Sequence, residues 1–360
     1  VTGGAFLLAF IFGAVANKTD FCTMGAVSDW VNMGDFNRMR MWLLAIAVAL
    51  LASSALQLAG VVDLAKSIYP GPNFTWLSYI VGGFLFGVGM TLGSGCGSKT
   101  LIRIGGGNLK SVVVYVFLGI AAYMTLRGVL GAFRVGVLEQ VSMVLPTGQD
   151  LPSLFSLKLR IEKRILAVLF AALIGLGIVA FVYASGEFRA NRNYSLGGVV
   201  TGLVVAGGWY VSGHLGHLAE DPNTLQEAFV ATNTGRMESF SFVAPLAWSL
   251  DYLMFWTDKS RIVTYGIASV AGVIAGSAAY ALATKKFRWE GFRDAEDTGM
   301  HILGGLLMGF GGICALGCTI GQAITGFSTL ALGSIVTFVC IVAGSAATMK
   351  WQYWRISRQG

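Results

Sequence analysis

The sequence predicts an all-α polytopic membrane protein: about nine transmembrane helices, short half-helices at the midplane, and an inverted repeat. Three observations carry this. Of 360 residues, 55% are hydrophobic and only 12% charged, about half the ~25% charged content of a soluble domain. One pattern occurs twice, as GGFLFGVGMTLGSGCGSKTLIRIGGGNLKS over 82–111 and GGLLMGFGGICALGCTIGQAITGFSTLALG over 304–333. An ungapped offset of 222 superimposes Gly82, Gly83, Gly87, Gly89, Gly95 and Cys96 on Gly304, Gly305, Gly309, Gly311, Gly317 and Cys318. Finally, Lys and Arg gather at alternate connections, as the positive-inside rule requires of cytoplasmic loops.

The first span is apolar over 3–16 and breaks at Asn17-Lys18-Thr19-Asp20, with Cys22 close behind and a short apolar run to about Val31. Arg38 and Arg40 precede a whole helix at about 41–60. After a loop at 61–76 comes the first Gly-Cys span, then a whole helix at about 111–131. Residues 132–163 are mixed in charge and too polar to span, so they are expected at the surface. A helix at about 164–184 links the halves. Residues 196–207 are expected to break at Gly207-Gly208, run through His214 and His217, and resume near 224–231. The stretch 240–256, interrupted by Pro245 and Asp251, reads as an interfacial helix. A span at about 262–284, the second Gly-Cys span and a last helix at about 329–349 complete the chain. The first apolar run reads as a span, not a cleaved signal.

The order is broken, whole, broken, whole, one linking helix, then the same again. An odd number of crossings separates the halves, so the second is expected inverted relative to the first. The organisation read from this is a first repeat at 1–131, a surface segment with linking helix at 132–195, and a second repeat at 196–360. Arg38 and Arg40, Arg103 and Lys110, Arg189 and Arg192, the 285–293 cluster and the C-terminus fall on one side. The N-terminus is therefore expected outside and the C-terminus inside.

A broken helix at membrane depth survives only where it is buried in protein or lines a wet cavity. Its free N–H groups and partial positive charge favour anions. Cys22, Cys96 and Cys318 stand at three of the four expected breaks; a thiol is a weak donor with polarisable sulfur, suited to a soft anion with a terminal sulfur. Lys18 and Lys99 lie beside two breaks, and intramembrane charges are functional candidates; Asp20 is a candidate partner for Lys18. Ser98, Thr319 and Gln322 are placed either to coordinate the anion or to satisfy freed backbone. His214, with His217, Glu220 and Asp221, reads as a polar break or a proton site. Cys340 sits inside an unbroken run and Cys314 one turn before a break, so packing explains both. Glu227 has no assignment.

Five cysteines in apolar surroundings argue against a disulfide framework. Three histidines without paired CxxC motifs argue against a metal site. No Lys/Arg tract suits nucleic acid, and no nucleotide or other cofactor motif is present.

These residues resemble the YeeE/YedE family of bacterial inner-membrane proteins. The resemblance is carried by Phe21-Cys22-Thr23-Met24-Gly25-Ala26 with Asp29 and Arg38, by Gly87-x-Gly89 through Gly95-Cys96-Gly97, and by Gly317-Cys318-Thr319-Ile320-Gly321-Gln322 through Leu330-Ala331-Leu332-Gly333-Ser334. It implies an hourglass-like transporter of nine spans plus short central helices. It implies thiosulfate uptake, with Cys22, Cys96 and Cys318 relaying the anion, and a small cytoplasmic TusA-like sulfur carrier as partner. Other members are linked to selenium. The rival reading from another class is a membrane sulfurtransferase whose thiols carry persulfides.

Overall fold

The computed structural model describes residues 1–222 and 225–358. In chain order the helices are α1 (Thr2–Thr19), α2 (Thr23–Ser28), α3 (Asn37–Leu58), α4 (Trp76–Leu92), α5 (Gly97–Gly105), α6 (Leu109–Arg127), α7 (Val129–Phe133), α8 (Leu151–Leu159), α9 (Lys163–Tyr183), α10 (Gly186–Ala190), α11 (Arg192–Tyr210), α12 (Ala244–Met254), α13 (Tyr265–Ala283), α14 (Ala295–Cys314) and α15 (Leu332–Ser357). A π-helical segment, Thr319–Gly326, follows α14. Two short antiparallel ladders lie in the connections: β1 (Asn73–Phe74) with β2 (Met143–Val144), and β3 (His217–Leu218) with β4 (Ala228–Phe229). Among the described residues, nine helical stretches are long and apolar enough to cross a membrane.

Glycine sets how these helices pack. α4 lies along both α14 and α15, α6 along α14, α1 along α13, and α3 along α11. The repeated glycines meet each other. A methyl group added at Gly82 would sit 2.7 Å from the Gly311 carbonyl oxygen, and one added at Gly89 would sit 2.7 Å from that of Gly304. Such distances leave no room for any side chain, so the α4–α14 backbones touch directly, as small residues allow between membrane helices. The position of Gly82 in the first copy is that of Gly304 in the second, and Gly89 is that of Gly311. The two contacts therefore exchange under the sequence offset. The linking helix α9 is the opposite case: Leu169, Leu173, Leu176 and Phe181 are exposed, as a lipid-facing surface requires.

Three sequence expectations change. The helix does not break at Gly207-Gly208. α11 runs through to Tyr210 and continues as a π turn to Leu215. Those glycines serve packing instead: a methyl group at Gly208 would sit 2.5 Å from both Ser239 Oγ and Tyr265 Oη, and one at Gly207 3.1 Å from Leu8. The expected resumption near 224–231 begins outside the described residues, and 225–231 hold a turn and β4.

The stretch 240–256 divides into extended chain and α12. Phe240, Phe242, Val243, Leu246 and Ala247 are buried, and only the end of the stretch, Leu253 to Trp256, is exposed. α12 packs on α6 and α13, so the apolar residues before Pro245 fill the interior where an interfacial helix was expected. Pro245 falls in the first turn of α12, where its missing N–H costs nothing.

The segment 132–163 is more than surface. The Leu151 amide donates to the Leu330 carbonyl and the Leu332 amide to that of Gln149, while Gln149 Oε1 accepts from the Gly333 amide at 3.2 Å. This strap holds the chain between the π-helical segment and α15.

Candidate transport site

The three cysteines stand at three copies of one backbone motif. Asp20, Ser94 and Leu316 each adopt a left-handed conformation, with φ of 52°, 58° and 58°. The next residue then donates its amide five residues back: Phe21 to Ala16 at 3.0 Å, Gly95 to Met90 at 2.8 Å and Gly317 to Gly312 at 2.8 Å. This is a Schellman termination, which satisfies carbonyls left free at the helix end. The cysteine follows at once in extended backbone and caps the next helix. Glycine alone does not make these breaks. A non-glycine residue takes the strained position each time, at roughly 1–2 kcal/mol apiece, which the satisfied buried carbonyls offset.

Cys22, Cys96 and Cys318 are all buried and unbridged. Cys22 Sγ accepts from the Gly25 amide at 3.3 Å, and Cys318 Sγ from the Gly321 amide at 3.4 Å. Each sulfur thus closes a helix N-terminus with its lone pairs, leaving its S–H hydrogen free to donate. Cys96 differs, lying 3.3 Å from Ser98 Oγ. The Cys96 side chain is within electrostatic reach of both Cys22 and Cys318.

Thr319, beside Cys318, is fully buried and its hydroxyl has no hydrogen-bond partner among the described residues. Thr23, beside Cys22, repeats this in both respects; the recurrence of Cys-Thr in the sequence was the available signal for it. An unpaired buried hydroxyl is costly, so each is a group in want of a partner. Gln322 is already engaged: its side-chain amide donates to the Ala315 carbonyl, and Oε1 accepts from Ser334 Oγ at 2.5 Å. It ties the break to α15.

The extended chain before α12 escaped the sequence reading. The Phe242 amide donates to Cys318 Sγ at 3.3 Å. Its carbonyl faces Gly97, where a methyl group would lie 3.2 Å away. Its ring stacks on Phe12 of α1 at 6.0 Å between centroids. One residue therefore joins the Cys318 break, the start of α5 and the first span. The Phe240 carbonyl accepts from Thr325 Oγ1 at 2.7 Å, fixing the same chain to the π-helical segment. Pro245, three residues past Phe242, was the signal that a helix begins here and the chain before it is extended.

The charges beside the breaks pair differently from expectation. Asp20 does not take Lys18 as its partner. It pairs with Lys99 of α5, and with Arg38 of α3 at 2.9 Å; Arg38 also meets Asp29 at 3.1 Å. The break turns Lys18 outward, where it is exposed and forms no ion pair among the described residues. Lys99 is within electrostatic reach of Cys22. His214 is also exposed, stacked on Tyr210 at 5.1 Å, because α11 carries it past the interior without breaking. His217 meets Glu227 at 2.5 Å and Lys66 pairs with the same carboxylate, which accounts for Glu227.

Tyr69, in the connection before α4, is buried near Cys318 and Glu238. Burial pushes its hydroxyl well above the ordinary phenol range, and those two neighbours add to the effect. Burial likewise raises the Glu238 carboxyl. Among the described residues no cluster of His, Cys, Asp and Glu is arranged to hold a metal ion.

Nine apolar spans among the described residues, set around interior helix breaks of which three carry a capping thiol, define a multi-pass membrane transport protein. The chain matches the family model described as sulphur transport over residues 18–347, and it belongs to that family. It is similar to the thiosulfate transporter TsuA of Spirochaeta thermophila, 25% identical over 358 residues, covering 97% of this chain and 98% of that one. The protein of the same name from Escherichia coli is 26% identical over 348 residues, covering 96% of this chain and 87% of that one. The YeeE/YedE resemblance is thus borne out. The chain is a sulfur-transport protein, a transporter and not an enzyme.

Proposed function

We propose that the chain carries thiosulfate across the bacterial inner membrane, passing it along Cys318, Cys96 and Cys22. The observation that carries this reading is the recurrence of one construction: a Schellman break, a buried cysteine and a new helix, at 20–22, 94–96 and 316–318. At Cys22 and Cys318 the sulfur's lone pairs are engaged by helix amides, so the thiol hydrogen points its weak donor capacity elsewhere. Weak repeated sites hold an anion and still release it. The unpaired Thr23 and Thr319 hydroxyls supply donors for sulfonate oxygens, and Ser98 lies on the middle thiol. Lys99 supplies attraction at the Asp20 end. Two relatives carry the name thiosulfate transporter.

The fold is read as an inverted repeat, supported by the exchange of the Gly82–Gly311 and Gly89–Gly304 contacts. α1 to α6 form one half, α9 links, and α11 to α15 form the other. Val243 then occupies, as the residue capping α12, the place that Cys22 holds before α2. The basic connections support a cytoplasmic C-terminus and an Asp20–Lys99–Arg38 group on the cytoplasmic side of the breaks, where a TusA-like carrier would receive the product.

The test is uptake of labelled thiosulfate by purified protein in liposomes, with unlabelled sulfate, sulfite and selenite as competitors. Saturable uptake that resists sulfate is expected. Correctly inserted protein without uptake overturns the reading.

A further inference from the structure

Two cavities meet at Met237, and one of them reaches the residues before Cys318. The outer, of about 610 Å³, is of mixed character: Lys66, Lys163, Arg164 and His217 line it together with Asp63 and Glu162, and Glu227 pairs with both Lys66 and His217. The inner, of about 140 Å³ and mainly apolar, runs from Tyr69 past Ser241 to Leu316 and Gly317, the residues just before Cys318. Among the described residues, Met237 alone lines both.

Met237 is buried where the two cavities meet. It is 1% exposed. Its backbone is fixed by a bridge to Ser67, so the main chain stays in place while the side chain turns. The sulfur rests on Gly213: a methyl group there would sit 2.2 Å from Sδ and 3.3 Å from Val62. Glycine at 213 thus makes the seat into which the thioether fits. Methionine is unbranched with three rotatable bonds and adapts its shape readily. A hydrophobic constriction between wetter regions closes a path by excluding water.

We propose that Met237 is the outer gate and the selectivity barrier of the pathway, swinging off Gly213 to pass an anion from the outer pocket, with its Lys163 and Arg164, to the mainly apolar inner cavity. This rests on the import reading above. An anion crossing the inner cavity sheds much of its water, and a charge in apolar surroundings is costly unless paired. An anion with a soft terminal sulfur loses less than sulfate, whose four oxygens are all strongly hydrated. The gate therefore discriminates before the thiols are reached.

The test uses Ser241→Cys as a reporter in the inner cavity, labelled with a water-soluble anionic maleimide and located by peptide mass. Adding Met237→Ala is expected to speed labelling about tenfold, while Met237→Leu leaves it near the rate with methionine. In liposomes, Met237→Ala is expected to admit labelled sulfate, and Met237→Trp to lower thiosulfate uptake about tenfold. Equal labelling with methionine and alanine overturns the gate. Faster labelling with both uptakes unchanged overturns its place on the transport route. Labelling needs no transport, so absent uptake by the unsubstituted chain counts against the import reading alone.

Discussion

The backbone amide of Phe242 donates to the Cys318 sulfur at 3.3 Å, and the Phe242 carbonyl faces Gly97, the residue after Cys96. Two breaks far apart in sequence are thus joined through one residue of a third segment. The thiols are held in register by backbone, and their substitution tests chemistry more than folding.

Cys96→Ser and Cys318→Ser are each expected to abolish thiosulfate uptake while the protein inserts and purifies normally. Serine is smaller and harder than the thiol; at 318 it keeps an acceptor for the capping amides, and at 96 a partner for Ser98. Cys340→Ser serves as the control, since Cys340 packs against Gly83 in an unbroken helix. Normal uptake by both central variants removes the relay.

Lys99 and Lys18 separate a charge at the site from a charge near it. Lys99 pairs with Asp20 and reaches Cys22 electrostatically, whereas Lys18 is exposed. Lys99→Gln is expected to lower uptake about tenfold, equivalent to roughly 1.4 kcal/mol of barrier. Lys18→Gln is expected to change little. The reverse order in a liposome assay refutes the assignment.

Glycine-to-alanine exchange is expected to have opposite signs at two helical positions. At Gly311 the new methyl lies 2.6 Å from the Gly82 carbonyl oxygen, and such overpacking costs roughly 1–3 kcal/mol. At Gly177 in α9 no neighbouring helix or loop among the described residues lies within 4 Å of the new methyl, so alanine gains up to ~1 kcal/mol of helix propensity. Thermal unfolding in detergent checks both: Gly311→Ala lowers the midpoint and Gly177→Ala raises it. Equal effects contradict the close α4–α14 crossing.

Stability is expected to carry a pH dependence from Glu238. Burial raises its carboxyl above the ordinary 4.5, while the Asn233 and Thr234 amides and the Thr234 hydroxyl, which donate to it, partly oppose the rise. The folded protein holds this proton more tightly than the unfolded chain. Its stabilising contribution is therefore complete below the ordinary value and lost as pH rises through the raised one. Glu238→Gln keeps an acceptor oxygen and cannot ionise. Its unfolding midpoint should decline less than the parent's across that window; matching slopes show that Glu238 is not the source.

The cysteines, the repeated glycines and the nine apolar runs were legible in the sequence because each is a local pattern. Hydropathy over about twenty residues defines a span, and a glycine-cysteine recurrence needs only an offset to be seen. The fourth break was not legible. Gly207-Gly208 resembles a break by composition, yet Ser239 and Tyr265 crowd against Gly208 and the helix continues. Glycine serves both bending and close packing, and only the neighbouring helix decides which.

Side-chain partners followed the same division. The sequence placed Lys18, Lys99 and Asp20 together near breaks, but the backbone after Thr19 turns Asp20 toward α5 and α3 and leaves Lys18 outside. By itself the sequence determined a membrane protein, the number of its spans and the three thiol positions, because bilayer thickness and helix periodicity act locally along the chain. Only the tertiary structure decided that Phe242 sits between two thiol breaks, that Asp20 belongs to Lys99, and that Met237 stands between two cavities. Those contacts join residues widely separated in sequence, and they arise when helix packing brings separate segments together.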